Sequence, residues 1–318
     1  KDPLCPEDSV DVQPIRTPTI MNSAYQQVML WNGQFGATGP NTGTEHLWKP
    51  GTPLETNFLG YEGVETQAIA GMTVHRLDIV HDFVFGCEYR ELFDAAFPAF
   101  PEEKRYTKIT AGLAMAAYER TVLSNRAPFQ DYLRGNYHAM TEEQKQGAIL
   151  FFGKANCVAC HTGPALSSME FHAIGMMDLL GQDIFGPLPD QKTQKGRGGF
   201  TGNPEDDYKF KVPQLYGLRS ARHFGHGASF YDLQAVVEYK NKAMKENQRV
   251  PDSQLAEEFV PLNLSKREIQ QLVAFLEDAL NDKDLDRYAP ESLPSGLCFP
   301  NNDEQSRIDL GCELPVFL

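Results

Sequence analysis

The five residues Cys157-Val158-Ala159-Cys160-His161 constrain this chain more than any other stretch. Cysteines three positions apart sit about one helical turn from each other, and the next residue can project an imidazole over a planar group that both sulfurs anchor. That is the attachment pattern of a c-type haem, in which two thioethers fix the porphyrin and the adjoining histidine reaches the iron. The competing readings are a Cys-x-x-Cys redox pair and half of a zinc site. The first needs βαβ surroundings and the second needs two further ligands of matching type, and neither is evident along the chain. The motif predicts covalent haem c on Cys157 and Cys160, with His161 as an iron ligand.

A chain that wraps a haem needs apolar residues to enclose it. At 318 residues, 41% hydrophobic and 11% aromatic, this one can build one large core or two modest ones, and two domains are expected. No run approaches the ~18 consecutive apolar residues of a membrane helix, so membrane insertion is not expected. The sequence opens at Lys1 without a charged-then-apolar leader, which fits a leader removed by processing. Bacteria attach haem c outside the cytoplasm, so a periplasmic or otherwise exported location is the expectation. The net charge of −14 weighs against nucleic-acid binding and permits a basic redox partner to be steered in.

The remaining cysteines, Cys5, Cys87, Cys298 and Cys312, are even in number and allow several pairings. The short separation of Cys298 and Cys312 suggests a disulfide stapling an irregular tail, and Cys5 with Cys87 then ties down the amino terminus. Free buried cysteines are the alternative.

Helical patterns separated by long Gly- and Pro-rich loops, with little period-two alternation, predict a mainly α fold. Between Tyr106 and Ser124, residues Ile109, Leu113, Ala116, Ala117 and Arg120 recur at helical spacing. Thr141-Glu142-Glu143-Gln144 has the form of a capping box and opens a helix running through Ile149, Leu150 and Phe151 toward the haem motif. Ser265-Lys266-Arg267-Glu268 is a second, starting a helix with Ile269, Leu272, Val273 and Leu276 on its apolar face. Gly175 to Pro213 reads as a loop passing over the haem edge at the surface. No internal repeat of fixed period is present.

Several segments around the motif carry a family resemblance. They are Tyr89-Arg90-Glu91-Leu92-Phe93, Ala117-Tyr118-Glu119-Arg120-Thr121, Phe129-Gln130-Asp131-Tyr132-Leu133-Arg134-Gly135, Thr162-Gly163-Pro164, Phe171-His172-Ala173-Ile174-Gly175 and Phe210-Lys211-Val212-Pro213-Gln214-Leu215. Together they resemble the carboxy-terminal haem domain of bacterial di-haem cytochrome c peroxidases and MauG-like proteins. Arg16-Thr17-Pro18-Thr19-Ile20-Met21-Asn22 and Leu30-Trp31-Asn32-Gly33 resemble the second half of that family's amino-terminal haem domain. The resemblance implies a partial or degenerate cytochrome c-like domain with connecting helices over 1–135. A cytochrome c domain over 136–290 and a tail over 291–318 follow.

In such proteins peroxide reacts at the amino-terminal haem, and the carboxy-terminal haem passes electrons to it. Only the second motif is present here, so the first haem is expected upstream, on another chain, or lost. The segment equivalent to the family's catalytic carboxylate runs from Gln67 to Asp78, with Asp78 as a possible substitute. Aligning His226 with a loop histidine of the family places the sixth iron ligand on Lys240. A lysine must lose its proton, with an ordinary pKa near ~10.4, before it can bind iron, and burial beside a cationic iron assists that. Met244, one turn farther along, is the thioether alternative, and an open site the third.

His172 is expected to pack near the haem edge, and His75 and His81 to bracket a turn. Met176 and Met177 follow in a loop outside the family's ligand pattern. Trp31 is either an electron relay between haem sites or a core aromatic. The family's calcium ion takes carbonyl ligands from a segment that here reads Ser220-Ala221-Arg222, which weakens calcium without removing it. Two functions follow. One is the electron-input part of a peroxidase or MauG-like oxidase, partnered by a redox protein or a second haem-bearing chain. The other is a mono-haem electron-transfer protein or subunit with no bond chemistry of its own. An oligomer is compatible with both.

Overall fold

Four α-helices among the described residues start at short polar side chains that turn back onto the backbone. The computed structural model describes residues 13–75, 89–179, 191–290, 293–294 and 308. In chain order the main helices are α1 (Gly63–Val74), α2 (Tyr89–Ala96), α3 (Lys108–Thr121), α4 (Pro128–Leu133), α5 (Glu142–Phe152), α6 (Arg197–Thr201), α7 (Leu233–Lys242) and α8 (Lys266–Ala274). Both expected capping boxes form. The Thr141 amide donates to Gln144 Oε1 at 2.9 Å ahead of α5, and the Ser265 amide to Glu268 Oε2 at 2.8 Å ahead of α8. Thr107 and Thr110 make a third for α3, and Asp232 caps α7 by accepting from the Ala235 amide at 2.7 Å. The fold is mainly α. Two-residue strands β1 (Phe171–His172) and β2 (Phe210–Lys211) pair antiparallel, Phe171 opposite Lys211.

One core gathers Phe129 of α4, Phe151 of α5, Val237 of α7, and Ile269, Leu272 and Phe275 at the end of the chain's helical part. Phe275 begins a π-helical turn, Phe275–Ala279, that prolongs α8. Its ring meets Phe129 edge-on at 5.1 Å and lies 5.4 Å from Phe151. Burying Phe151 and Phe275 contributes about 1.5–3 kcal/mol each. α5 and α8 approach backbone to backbone at Gly147, which no side chain holds apart.

The second core joins Met29, Phe35, Val64, Ala68, Ala70 and Ala116. Here α1 packs on α3 through another close approach, Gly112 against Ile69. That packing corrects the expected face of α3. Ile109 and Ala117 point to solvent, and Thr110, Gly112 and Ala116 form the buried stripe. A close crossing selects small residues at the contact, so the larger apolar residues mislead as a guide to the buried face. Arg120 fastens the pair, donating to Glu65 at 2.6 and 2.8 Å and to Glu62 at 3.0 Å.

The segment from Gly175 to Pro213 is not wholly a surface excursion. Arg197, Gly198 and Phe200 of α6 are buried. The Arg197 guanidinium donates to Pro40 O at 2.7 Å, Asn41 Oδ1 at 2.8 Å, and the carbonyls of Asn32 and Gly33. Its plane lies 4.6 Å from the Phe171 ring centre. α6 is therefore a strut tying the early chain to β1. Cys5, Cys87, Cys298, Cys312, Asp78 and His81 lie outside the described residues. No described helix is long and apolar enough to cross a membrane.

Candidate haem site

α5 delivers the motif. After Phe152 the chain turns at Asn156, whose φ of 47° is the left-handed conformation that asparagine tolerates, and enters a short 3-10 turn over Cys157–Ala159. The His161 amide closes this turn on the Cys157 carbonyl at 2.9 Å. Both thiols are free. Burial pushes the Cys157 thiol up to about 11, so it stays protonated near neutral pH.

His161 Nδ1 lies 3.0 Å from the Leu166 carbonyl. That carbonyl can only accept, so it fixes the proton on Nδ1 and leaves the Nε2 lone pair free for a metal. The loop holding Leu166 is itself closed by Leu166 N to Gly163 O at 3.1 Å and Ser167 N to Thr162 O at 2.7 Å. Burial pulls the His161 pKa down to about 4, which keeps the imidazole neutral, the ligating form. A neutral imidazole with one fixed nitrogen and two unpaired thiols fits a covalent haem c.

α7 brings Lys240 to the same place. Its ammonium lies 5.1 Å from the Phe259 ring centre, and burial lowers its pKa, opposed by Cys160, Cys157 and Glu258. Met244 is not on this helix face. α7 ends at Lys242, Ala243 is left-handed with φ 50°, and Met244 is 72% exposed. A helix register extended through Ala243 puts Met244 where the turned chain cannot.

His172 on β1 comes close to Cys160. Cys160, His172 and Glu258 offer donor atoms within 4.8 Å of one another. The Cys160 thiol and then Glu170 and Glu258 raise His172 to about 9. This cluster omits Cys157 and His161, and its sulfur is the one the attachment pattern consumes. A metal there and a thioether at Cys160 exclude each other. Met176 packs against Gly225, and the Met177 amide donates to Glu246 at 3.1 Å. His75 caps the exposed end of α1. The stretch beginning at Gln67 runs along α1, whose nearby Glu65 is held by Arg120.

Trp31 is 7% exposed and donates through Nε1 to the Arg16 carbonyl at 2.7 Å. It meets His226 edge-on at 6.3 Å. His226 is buried, stacked on Phe210 at 3.7 Å, with Nε2 3.0 Å from Asp178 Oδ1. Ala221 borders a cavity of about 90 Å³ beside Trp31, Gln26, Lys211 and Arg16. Two cations and no carboxylate line it. Sequence reasoning missed Leu166, Asp178 and Lys211. Only Lys211 left a trace, as a charge inside the apolar run Phe210 to Val212.

A cavity of about 680 Å³ borders the motif at Val158 and Thr162–Pro164, with Phe129, Tyr132, Phe152 and Tyr216 on its walls.

A family model described as di-haem cytochrome c peroxidase matches residues 7–138. The cytochrome-c peroxidase IdrP1 of Pseudomonas sp. (strain SCT) is 27% identical over 283 residues, covering 81% of this chain and 66% of that protein. The methylamine utilization protein MauG of Methylophilus methylotrophus is 30% identical over 267 residues, 82% of this chain and 67% of the relative. The chain thus spans about two thirds of the length of these relatives. Among solved structures, a MauG-like protein associated with microbial copper homeostasis superposes with a TM-score of 0.58 at 22% identity, covering 86% of this chain and 77% of the other. The di-haem peroxidase BthA from Burkholderia thailandensis gives 0.56 at 17% identity, covering 90% and 76%.

Proposed function

Because the chain belongs to the di-haem cytochrome c peroxidase family, we propose that it carries one haem c on Cys157 and Cys160 and relays electrons toward a peroxide-reactive haem. Bound there, the haem supplies a one-electron relay between a donor protein and the second haem. The chain's own residues do the rest. Leu166 holds the Nδ1 proton of His161 and so leaves Nε2 as the nitrogen that would bind the iron of a haem held there, and the buried Lys240 would offer an amine as a second iron ligand. The observation that carries this reading is the His161–Leu166 hydrogen bond beside two free thiols.

The reading divides the chain into a partial peroxidase-type domain over 1–135, a cytochrome c domain over 136–290 and a tail over 291–318. It places the protein in the periplasm or otherwise outside the cytoplasm, with a redox partner protein or second haem-bearing chain.

The second reading is a mono-haem electron carrier; Lys240 on the iron would be compatible with both, since in either the haem on Cys157 and Cys160 does not itself take peroxide. Pyridine haemochrome on the native material, with intact mass, separates the two. Two haems per complex are expected. One haem, with no peroxidase turnover, leaves the carrier; no haem overturns both.

A further inference from the structure

We propose that the small cavity between Lys211 and Arg16 is a carboxylate-binding pocket. Lys211 is 6% exposed, and among the described residues its ammonium donates to one acceptor, Gln26 Oε1 at 2.6 Å. An ammonium carries three donors, so two remain for a ligand. Arg16 lines the same cavity, its Nε donating to the Gly225 carbonyl at 3.2 Å and its guanidinium 5.6 Å from the Trp31 ring centre. Neither cation is paired with a carboxylate among the described residues, and no acidic residue lines the space.

Arg197, equally buried and equally without a carboxylate, shows the contrast. Four acceptors close around its guanidinium. Lys211 has one, and open volume where the others belong. Burying a charge with unfilled donors is costly unless an anion completes it. Burial already lowers Lys211 to about 8 and depresses Arg16 as well. A volume of about 90 Å³ has room for a carboxylate group. Trp31, Leu30 and Met21 supply apolar walls that strengthen a charge-assisted hydrogen bond.

Two sources of carboxylate fit. Pro213 lines the cavity, and its carbonyl also reaches the His161 imidazole, so a haem propionate could extend into the space. A free small carboxylate is the other. The pocket does not depend on the haem assignment; the propionate source does.

The test compares wild-type holoprotein with Lys211→Met, Lys211→Arg and Arg16→Gln, the last covering the case in which Lys211→Met does not fold. Sodium formate is titrated against sodium chloride at matched ionic strength while the unfolding temperature is followed, and the haem is titrated with a reductant. A free-ligand pocket gives a saturable, formate-specific rise in Tm that Lys211→Met or Arg16→Gln weakens at least tenfold. A propionate gives no formate response, but loss of a cation shifts the reduction equilibrium about tenfold toward the oxidised haem, about 59 mV for one electron, and Lys211→Arg restores it. No formate response together with an unmoved potential overturns the pocket. If the protein holds no haem, the formate titration alone decides it, and the haem reading has failed separately.

Discussion

Gly147 on α5 lies so close to the Gln271 carbonyl on α8 that a Cβ at that position would sit 2.0 Å from the oxygen. The same Cβ would come 2.7 Å from Phe275 Cβ. Neither neighbour is a flexible side-chain end, so the helices must separate to admit even a methyl. Gly147→Ala is expected to cost about 1–3 kcal/mol, as overpacking does in close-packed cores. Urea unfolding of the variant measures it, and a loss under about 0.5 kcal/mol means that the crossing relaxes freely.

Lys240→Ala should open the sixth iron position. The ferric absorption spectrum then moves from low-spin toward high-spin character, and added imidazole binds the variant but not the parent. Met244→Leu should leave the spectrum as it is, since that side chain is 72% exposed beyond the end of α7. Identical spectra for Lys240→Ala and the parent remove Lys240 as a ligand.

What could be read from sequence was what local chemistry fixes. Thr141 and Ser265 announce their helices because a capping box needs only four consecutive residues, and the proposed haem attachment at Cys157 to His161 rests on a motif just as local. Contacts between distant segments were not legible. The buried face of α3 is set by its close crossing with α1 at Gly112, and no pattern within α3 reports that neighbour. Met244 leaves its helix face because Ala243 turns left-handed, a conformation its side chain does not advertise. Arg197 and Lys211 are buried by partners more than a hundred residues away.

Acid should act on the α5–α8 end through Glu268. Lys154, reaching it from just beyond α5 at 2.8 and 2.9 Å, and then the Ser265 amide and hydroxyl, hold this carboxyl down to about 2. A depressed carboxyl binds fewer protons folded than unfolded. Its contribution is therefore complete above the ordinary value near ~4.3 and is lost as pH falls toward about 2. Glu268→Gln should show a shallower loss of urea stability between pH 5 and pH 3, steps of roughly one ordinary carboxylate titration. Parallel curves for variant and parent show that the Lys154 contact contributes nothing.

Arg120 tests how α1 and α3 are held. Burial alone raises the Glu65 carboxyl, and the bidentate Arg120 guanidinium more than offsets it, leaving Glu65 below its ordinary value. Arg120→Met removes that offset while Glu65 stays largely covered and Glu119 remains close enough to repel it. The expected cost is about 1.5–3 kcal/mol, the range for hydrogen bonds to charged groups. Its pH dependence should reverse. In the parent, Glu65 contributes stability above its ordinary pKa that is lost on acidification; in the variant, burial raises Glu65, so acidification neutralises a buried charge and recovers stability. Adding Glu65→Gln to Arg120→Met should recover part of the loss at neutral pH and abolish the recovery in acid. If the double variant is no more stable than the single, the cost lies in the lost Arg120 contacts to Glu62 and the Ala24 carbonyl, not in a stranded carboxylate.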